Sequence, residues 1–121
     1  MAGERILVVD DSPTDLRLVT TALRGGGYVV SAAHDGEEAL EKAVRERPDL
    51  IVLDVILPKK NGFQVCRQLK TSPDTCAIKI LLLTSKNQQS DRFWGLKQGA
   101  DSYMTKPFAN EELLASIGEL V

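Results

Sequence analysis

Four short apolar runs in this chain each end on residues that can handle a phosphate. Ile6-Leu7-Val8-Val9 leads into Asp10-Asp11, Leu50-Ile51-Val52-Leu53 into Asp54, and Ile80-Leu81-Leu82-Leu83 into Thr84. The fourth, around Tyr103-Met104-Thr105, leads into Lys106-Pro107. A carboxylate can act as a nucleophile toward phosphorus and form an aspartyl phosphate. A hydroxyl and an ammonium can hold phosphoryl oxygens as charge develops on them. Hard carboxylate oxygens, with waters and a backbone carbonyl, suit Mg²⁺. Three carboxylates about 5 Å apart would repel by roughly 3 kcal/mol per pair at an effective dielectric near 20, so a cation among them is expected.

These residues meet only if their strands end on the same side. Apolar runs of four, rich in branched residues and alternating with helical patterns, read as buried parallel strands. Parallel strands bring their carboxyl ends to one edge, where open α/β sheets bind ligands. Each helix carries start and stop signals. Ser12-Pro13 opens the first as N-cap and first helical residue, and Gly25-Gly26-Gly27 closes it. A second strand spans Tyr28 to Ala33. Asp35-Gly36-Glu37-Glu38 has the spacing of a capping box, with Ala39, Leu40, Ala43 and Val44 as the buried stripe behind it. Pro48 blocks that helix. Asn61-Gly62 reads as a turn before a third helix carrying Phe63, Cys66 and Leu69. A fourth helix within Asn87 to Gln98 carries Phe93, Trp94 and Leu96, and Gly99 ends it; Phe93 and Trp94 read as core and helix-face packing, with partner contact as the lesser reading. The last follows Pro107, with Ala109 at the expected cap position and Asn110 as the better capping residue one step on. Five strand–helix units in strict alternation predict an α/β, doubly wound sheet with right-handed crossovers.

Bulk properties narrow the function. The chain has 121 residues, 43% apolar and 26% charged, which reads as one soluble domain over residues 1–121. A net charge of −2 gives no reason to expect nucleic acid or an anionic membrane surface. No run approaches the ~20 apolar residues a membrane span needs, and the N-terminus does not read as a signal peptide, so a cytoplasmic protein is expected. Cys66 and Cys76 form neither a disulfide framework nor a metal motif. The chain ends with the fifth helix, so no output domain is expected.

In combination, Asp10-Asp11-Ser12, Asp54 with Pro58, Thr84-Ser85 and Lys106-Pro107-Phe108 resemble the response-regulator receiver domain of two-component signalling, over essentially the whole chain. The resemblance implies a flavodoxin-like five-stranded parallel sheet in the order 2-1-3-4-5, flanked by five helices. It implies Asp54 as phospho-acceptor and Asp11 as a direct Mg²⁺ ligand. Asp10 would hold the ion largely through water, and the backbone carbonyl of Ile56 would complete the protein ligands. Thr84 and Lys106 would bind phosphoryl oxygens. Tyr103 matches the family's switch aromatic. The implied partners are a histidine kinase as phosphodonor and a downstream effector reading the fourth helix, fifth strand and fifth helix. Such a protein is a signalling switch, not a turnover enzyme. Ser12-Pro13-Thr14, Asn61-Gly62-Phe63-Gln64, Arg67-Gln68-Leu69 and Trp94-Gly95 resemble stand-alone receivers of chemotaxis-like pathways that control twitching motility.

Two rivals compete. One is a pseudo-receiver that keeps the fold as a protein-binding scaffold and never uses phosphate. The other is a phosphatase with an Asp nucleophile, which needs a second acid two residues later, where this chain has Ile56. Neither Ile56 nor Lys86 offers a carboxylate or amide to orient a hydrolytic water, so slow loss of the phosphoryl group is expected.

Overall fold

A computed structural model describes residues 3–121. Its elements alternate as β1 (Arg5–Val9), α1 (Pro13–Gly25), β2 (Val29–Ala33), α2 (Gly36–Glu46), β3 (Leu50–Leu53), α3 (Gly62–Thr71), β4 (Lys79–Thr84), α4 (Gln89–Lys97), β5 (Ser102–Thr105) and α5 (Asn110–Leu120). All the strand pairs are parallel, in the order β2-β1-β3-β4-β5. This is the doubly wound fold and strand order expected. No helix among the described residues is long and apolar enough to cross a membrane.

The three central strands, β1, β3 and β4, are buried on both faces because they have no polar side to show, whereas β2 and β5 at the edges are partly covered. Alternate residues feed two cores. Leu7, Val9, Ile51, Leu53, Ile80 and Leu82 pack with α2 and α3, through Ala39, Ala43, Val65, Cys66 and Leu69. Ile6, Val8, Leu50, Val52, Leu81 and Leu83 pack with α1 and α5, through Val19, Leu23, Leu113 and Ile117.

Several local expectations change. Val44 is exposed, so the buried stripe of α2 is Ala39 and Ala43 with Leu40 partly covered. Asp35 does cap α2 by accepting from Glu38 N at 2.8 Å. Glu38 does not close the box on Asp35, because its Oε1 accepts from the N–H of His34 at 2.7 Å. The true capping box lies at α3: Asn61 and Gln64 each accept the other's backbone N–H at 3.0 Å. The Asn-Gly pair is therefore a helix start. At α5, Ala109 occupies the cap position without a side-chain bond, and Asn110 is the first helical residue. The Ala109 N–H is satisfied by Glu112 Oε1 at 3.2 Å.

The largest departure is on α4. Phe93 and Trp94 are 63% and 52% exposed, and Leu96 is exposed too. They are not core residues; α4 rests on the sheet through Gly95, its one buried residue.

Candidate active site

β1 and β3 are neighbours in the sheet but not in the chain, since the path leaves β1 for β2 on one flank and returns to β3 on the other. Such a switch point opens a crevice at the strands' carboxyl ends. Val9 pairs with Leu53, so the next residues, Asp10 and Asp54, stand side by side at its mouth. The ladder reaches into the site: Asp54 N donates to Val9 O at 3.0 Å and Asp10 N to Ala33 O at 3.1 Å. Thr84 closes β4 next door, fully buried, and its carbonyl accepts from Lys106 N at 2.9 Å. The Lys106-Pro107 peptide is cis.

The carboxylates share one cation. Lys106 Nζ lies 2.7 Å from Asp10 Oδ2, 2.8 Å from Asp54 Oδ2 and 2.9 Å from Asp15 Oδ2. The second oxygens of the two strand-end acids are held alike: Asp10 Oδ1 accepts from Ser12 N at 2.9 Å, and Asp54 Oδ1 from Ile56 N at 3.0 Å. Each acid thus bonds the N–H two residues on, an Asx-type turn that fixes its rotamer. Burial pushes the Asp10 carboxyl above its ordinary range, outweighing the bonds from Lys106 and Ser12 that pull the other way. For Lys106 burial disfavours the charge, but the bonds to Asp10, Asp54 and Asp15 outweigh it and hold the ammonium protonated well past the ordinary lysine range.

Asp15 went unnoticed in the sequence, where an acid in the first turn of a helix is an ordinary complement to the helix dipole. Only α1 leaving directly from the crevice makes it a rim residue. Asp11 is exposed, beside the cluster and without a bond from Lys106. The nest of three acids around an ion is not assembled: among the described residues no three acidic, His or Cys side chains stand where they would hold a metal. The positive charge between Asp10 and Asp54 is the ammonium of Lys106, so their repulsion does not by itself require an ion. The donor chemistry still fits Mg²⁺, which keeps most of its waters and takes one or two carboxylates. Asp10 and Asp54 converge closely enough to supply those two.

Tyr103 lies one layer out from Thr84. The residue is 3% exposed, more buried than a strand-edge aromatic need be. Its hydroxyl donates to Lys86 O at 2.8 Å, and the Arg92 guanidinium sits 5.4 Å from the ring centroid. Lys86 N, in turn, makes a long 3.4 Å contact to Thr84 Oγ1. Burial, with Asp91 nearby, raises the Tyr103 phenol above its usual value and keeps it a donor. A cleft beside the ammonium is lined by Asp15, Leu18, Ser85, Lys106, Pro107 and Phe108.

The model of the response regulator receiver domain matches residues 6–118. The chain belongs to the response-regulator receiver family. This receiver is 41% identical to the protein PilH of Pseudomonas aeruginosa over 97% of both chains. It is 49% identical to the alkaline phosphatase synthesis transcriptional regulatory protein PhoP of Bacillus subtilis over 95% of its own length, but spans only 47% of that relative. Among solved structures it superposes, at a TM-score of 0.91 and 33% identity, on the receiver domain of the sensor histidine kinase PA1611 of P. aeruginosa, covering 98% of each chain. That domain holds a magnesium ion in its active-site cleft. The receiver of two-component signalling expected from the motifs is thus the family found.

Proposed function

We propose that this receiver accepts a phosphoryl group on Asp54 from the phosphohistidine of a kinase, in the cytoplasm, and thereby switches a protein-binding face. The observation that carries the reading is the ammonium of Lys106 held at 2.8 Å from Asp54 Oδ2, at the mouth of the switch-point crevice. A lysine fixed on the nucleophile's own oxygen stands where a phosphoryl oxygen arrives.

Asp54 Oδ2 attacks phosphorus, the P–N bond to the donor imidazole breaks with its electron pair going to nitrogen, and the imidazole leaves neutral by taking a proton from solvent water. Phosphoryl transfer needs mainly positioning and charge neutralisation. Mg²⁺ would supply neutralising charge when bound, held by Asp10 and Asp54, with Asp11 and the carbonyl of Ile56 as the further ligands that the family resemblance implies. Lys106 then follows the negative charge from the carboxylates to a phosphoryl oxygen, and the Thr84 hydroxyl donates to another. The Thr84 movement draws the Lys86 segment, which carries the acceptor of the Tyr103 hydroxyl. The new charge so biases a two-state surface of α4, β5 and α5. Phe93 and Trp94, exposed on α4, give an effector apolar anchors there. The protein acts as a switch, without turnover of a separate substrate. The pathway reading, a chemotaxis-like system controlling pilus twitching, rests on the motif likeness and on the full-length similarity to PilH.

Incubation with ³²P-labelled acetyl phosphate and Mg²⁺ tests this. The natural protein takes up label and Asp54→Asn does not; equal labelling of the two would remove Asp54 from the mechanism. Absence of any response to beryllofluoride with Mg²⁺ would favour the pseudo-receiver instead.

A further inference from the structure

Gly95 is a helical residue with no backbone need to be glycine: its φ is not in the left-handed region. Alanine is the better helix former, so the local sequence gives up helix stability at this point. The reason is space. A Cβ on Gly95 would stand 2.7 Å from Leu82 Cδ1, 2.9 Å from Tyr103 Cδ2 and 3.1 Å from Tyr103 Cε2.

Those two neighbours are not equally free to move. Leu82 is fully buried in β4, inside a close-packed core that has no room to take it. Tyr103 lies on β5, the last strand of the sheet, with α4 against one side of its ring and the core it shares with Leu82 against the rest. Beyond that packing, the ring is held by one hydroxyl bond to Lys86 and by the guanidinium of Arg92, which also donates to Tyr103 O at 3.1 Å. Of the two contacts, the ring is the one with a way out, because β5 is the edge of the sheet whereas β4 has a strand on each side; it yields by rotating toward solvent.

Resting on the reading of Tyr103 as the switch aromatic, we infer that Gly95 is a positioning residue of the switch. The missing Cβ is the notch in α4 that admits the Tyr103 ring, and it sets how much of the population has the ring buried. Ring position and ligation of Asp54 are linked through the segment running from Thr84 to Lys86. Filling the notch therefore weakens ligation at Asp54, a site Gly95 does not touch.

The test uses 3-fluorotyrosine and ¹⁹F NMR, since the chain has two tyrosines and Tyr28→Phe assigns them. In the natural protein the Tyr103 resonance is insensitive to exchange of H₂O for D₂O. In Gly95→Ala it acquires a solvent isotope shift, and half-saturation with beryllofluoride at fixed Mg²⁺ requires on the order of tenfold more ligand, the scale of an ordinary two-site coupling. A Tyr103 resonance that stays buried in Gly95→Ala overturns the inference and leaves the reading of Tyr103 intact. A ring that moves out with unchanged beryllofluoride affinity leaves the notch standing and removes Tyr103 from the switch. If Gly95→Ala does not fold, Gly95→Ala/Tyr103→Ala decides. Recovery of folding identifies the ring as the obstacle, whereas continued failure assigns it to Leu82 and sinks the proposal.

Discussion

Lys106 and Asp15 lie at opposite ends of the chain, yet Nζ of one is 2.9 Å from Oδ2 of the other. The contact exists because α1 starts at the same crevice rim where β5 ends. It makes Lys106 the hub of a cluster with Asp10 and Asp54, a single ammonium bonded to three carboxylates.

Removing that hub leaves Asp10 and Asp54 buried and uncompensated. Lys106→Met should lower the unfolding free energy by about 3 kcal/mol at neutral pH in metal-free buffer, the scale for breaking a buried pair from one side. Urea denaturation checks this, and addition of Mg²⁺ should restore part of the loss. A midpoint equal to that of the natural protein would mean the cluster relaxes into water when the ammonium goes.

α3 is set against the loop that begins at Asp54 through Gly62. A Cβ there would overlap the carbonyl oxygen of Asp54, a backbone atom that cannot swing aside. The Gly62 N–H also donates to Val55 O at 2.8 Å, so helix and loop are tied together. Gly62→Ala should cost about 1–3 kcal/mol of stability, the usual price of overpacking. It should also slow phosphoryl uptake from acetyl phosphate by displacing Asp54. Unchanged uptake with reduced stability would separate the two effects.

Glu38 links strand end to helix start. Its Oε1 accepts from the backbone N–H of His34, and this bond, with further help from the His34 ring and Lys42, holds its carboxyl below the ordinary value of 4.5. The folded state therefore binds that proton less readily than the unfolded chain. The stabilisation is present above pH 4.5 and is lost as pH falls through the lowered folded value. Glu38→Gln should be less stable than the natural protein at pH 7, with the gap closing in acid. A gap that stays constant from pH 7 to pH 3 would show that the charge contributes nothing.

The two thiols should react very differently. Cys66 is fully buried on the inner face of α3 and desolvation pushes its thiol up to about 12, whereas Cys76 is exposed. Because the thiolate is the nucleophile, iodoacetamide at pH 8 should add one label to the native protein and a second only in denaturant. Mass spectrometry locates them; labelling of Cys66 in the native state would reveal an opening of the face formed by α3 and Gln98, whose carbonyl Cys66 contacts.

Much of this receiver was legible before any coordinates. Period and composition separate buried strands from amphipathic helices, and a short apolar run ending on Asp10, Asp54, Thr84 or Lys106 places each residue at a strand's carboxyl end. Parallel strands then bring those ends together whatever the details of packing. Capping residues Ser12 and Asp35 were legible for the same reason, because a cap is satisfied within one turn of chain. What depends on neighbours distant in sequence was not. Asp15 looks like any first-turn acid until α1 is laid along the crevice. Phe93 and Trp94 read as core from their hydrophobicity, but α4 meets the sheet through Gly95 and turns them outward. Whether Lys106 or an ion balances Asp10 and Asp54 is likewise decided by where a side chain ends in space. Local order along the chain sets which groups reach the crevice; only the packing of α1, α4 and β5 around it sets which of them touch.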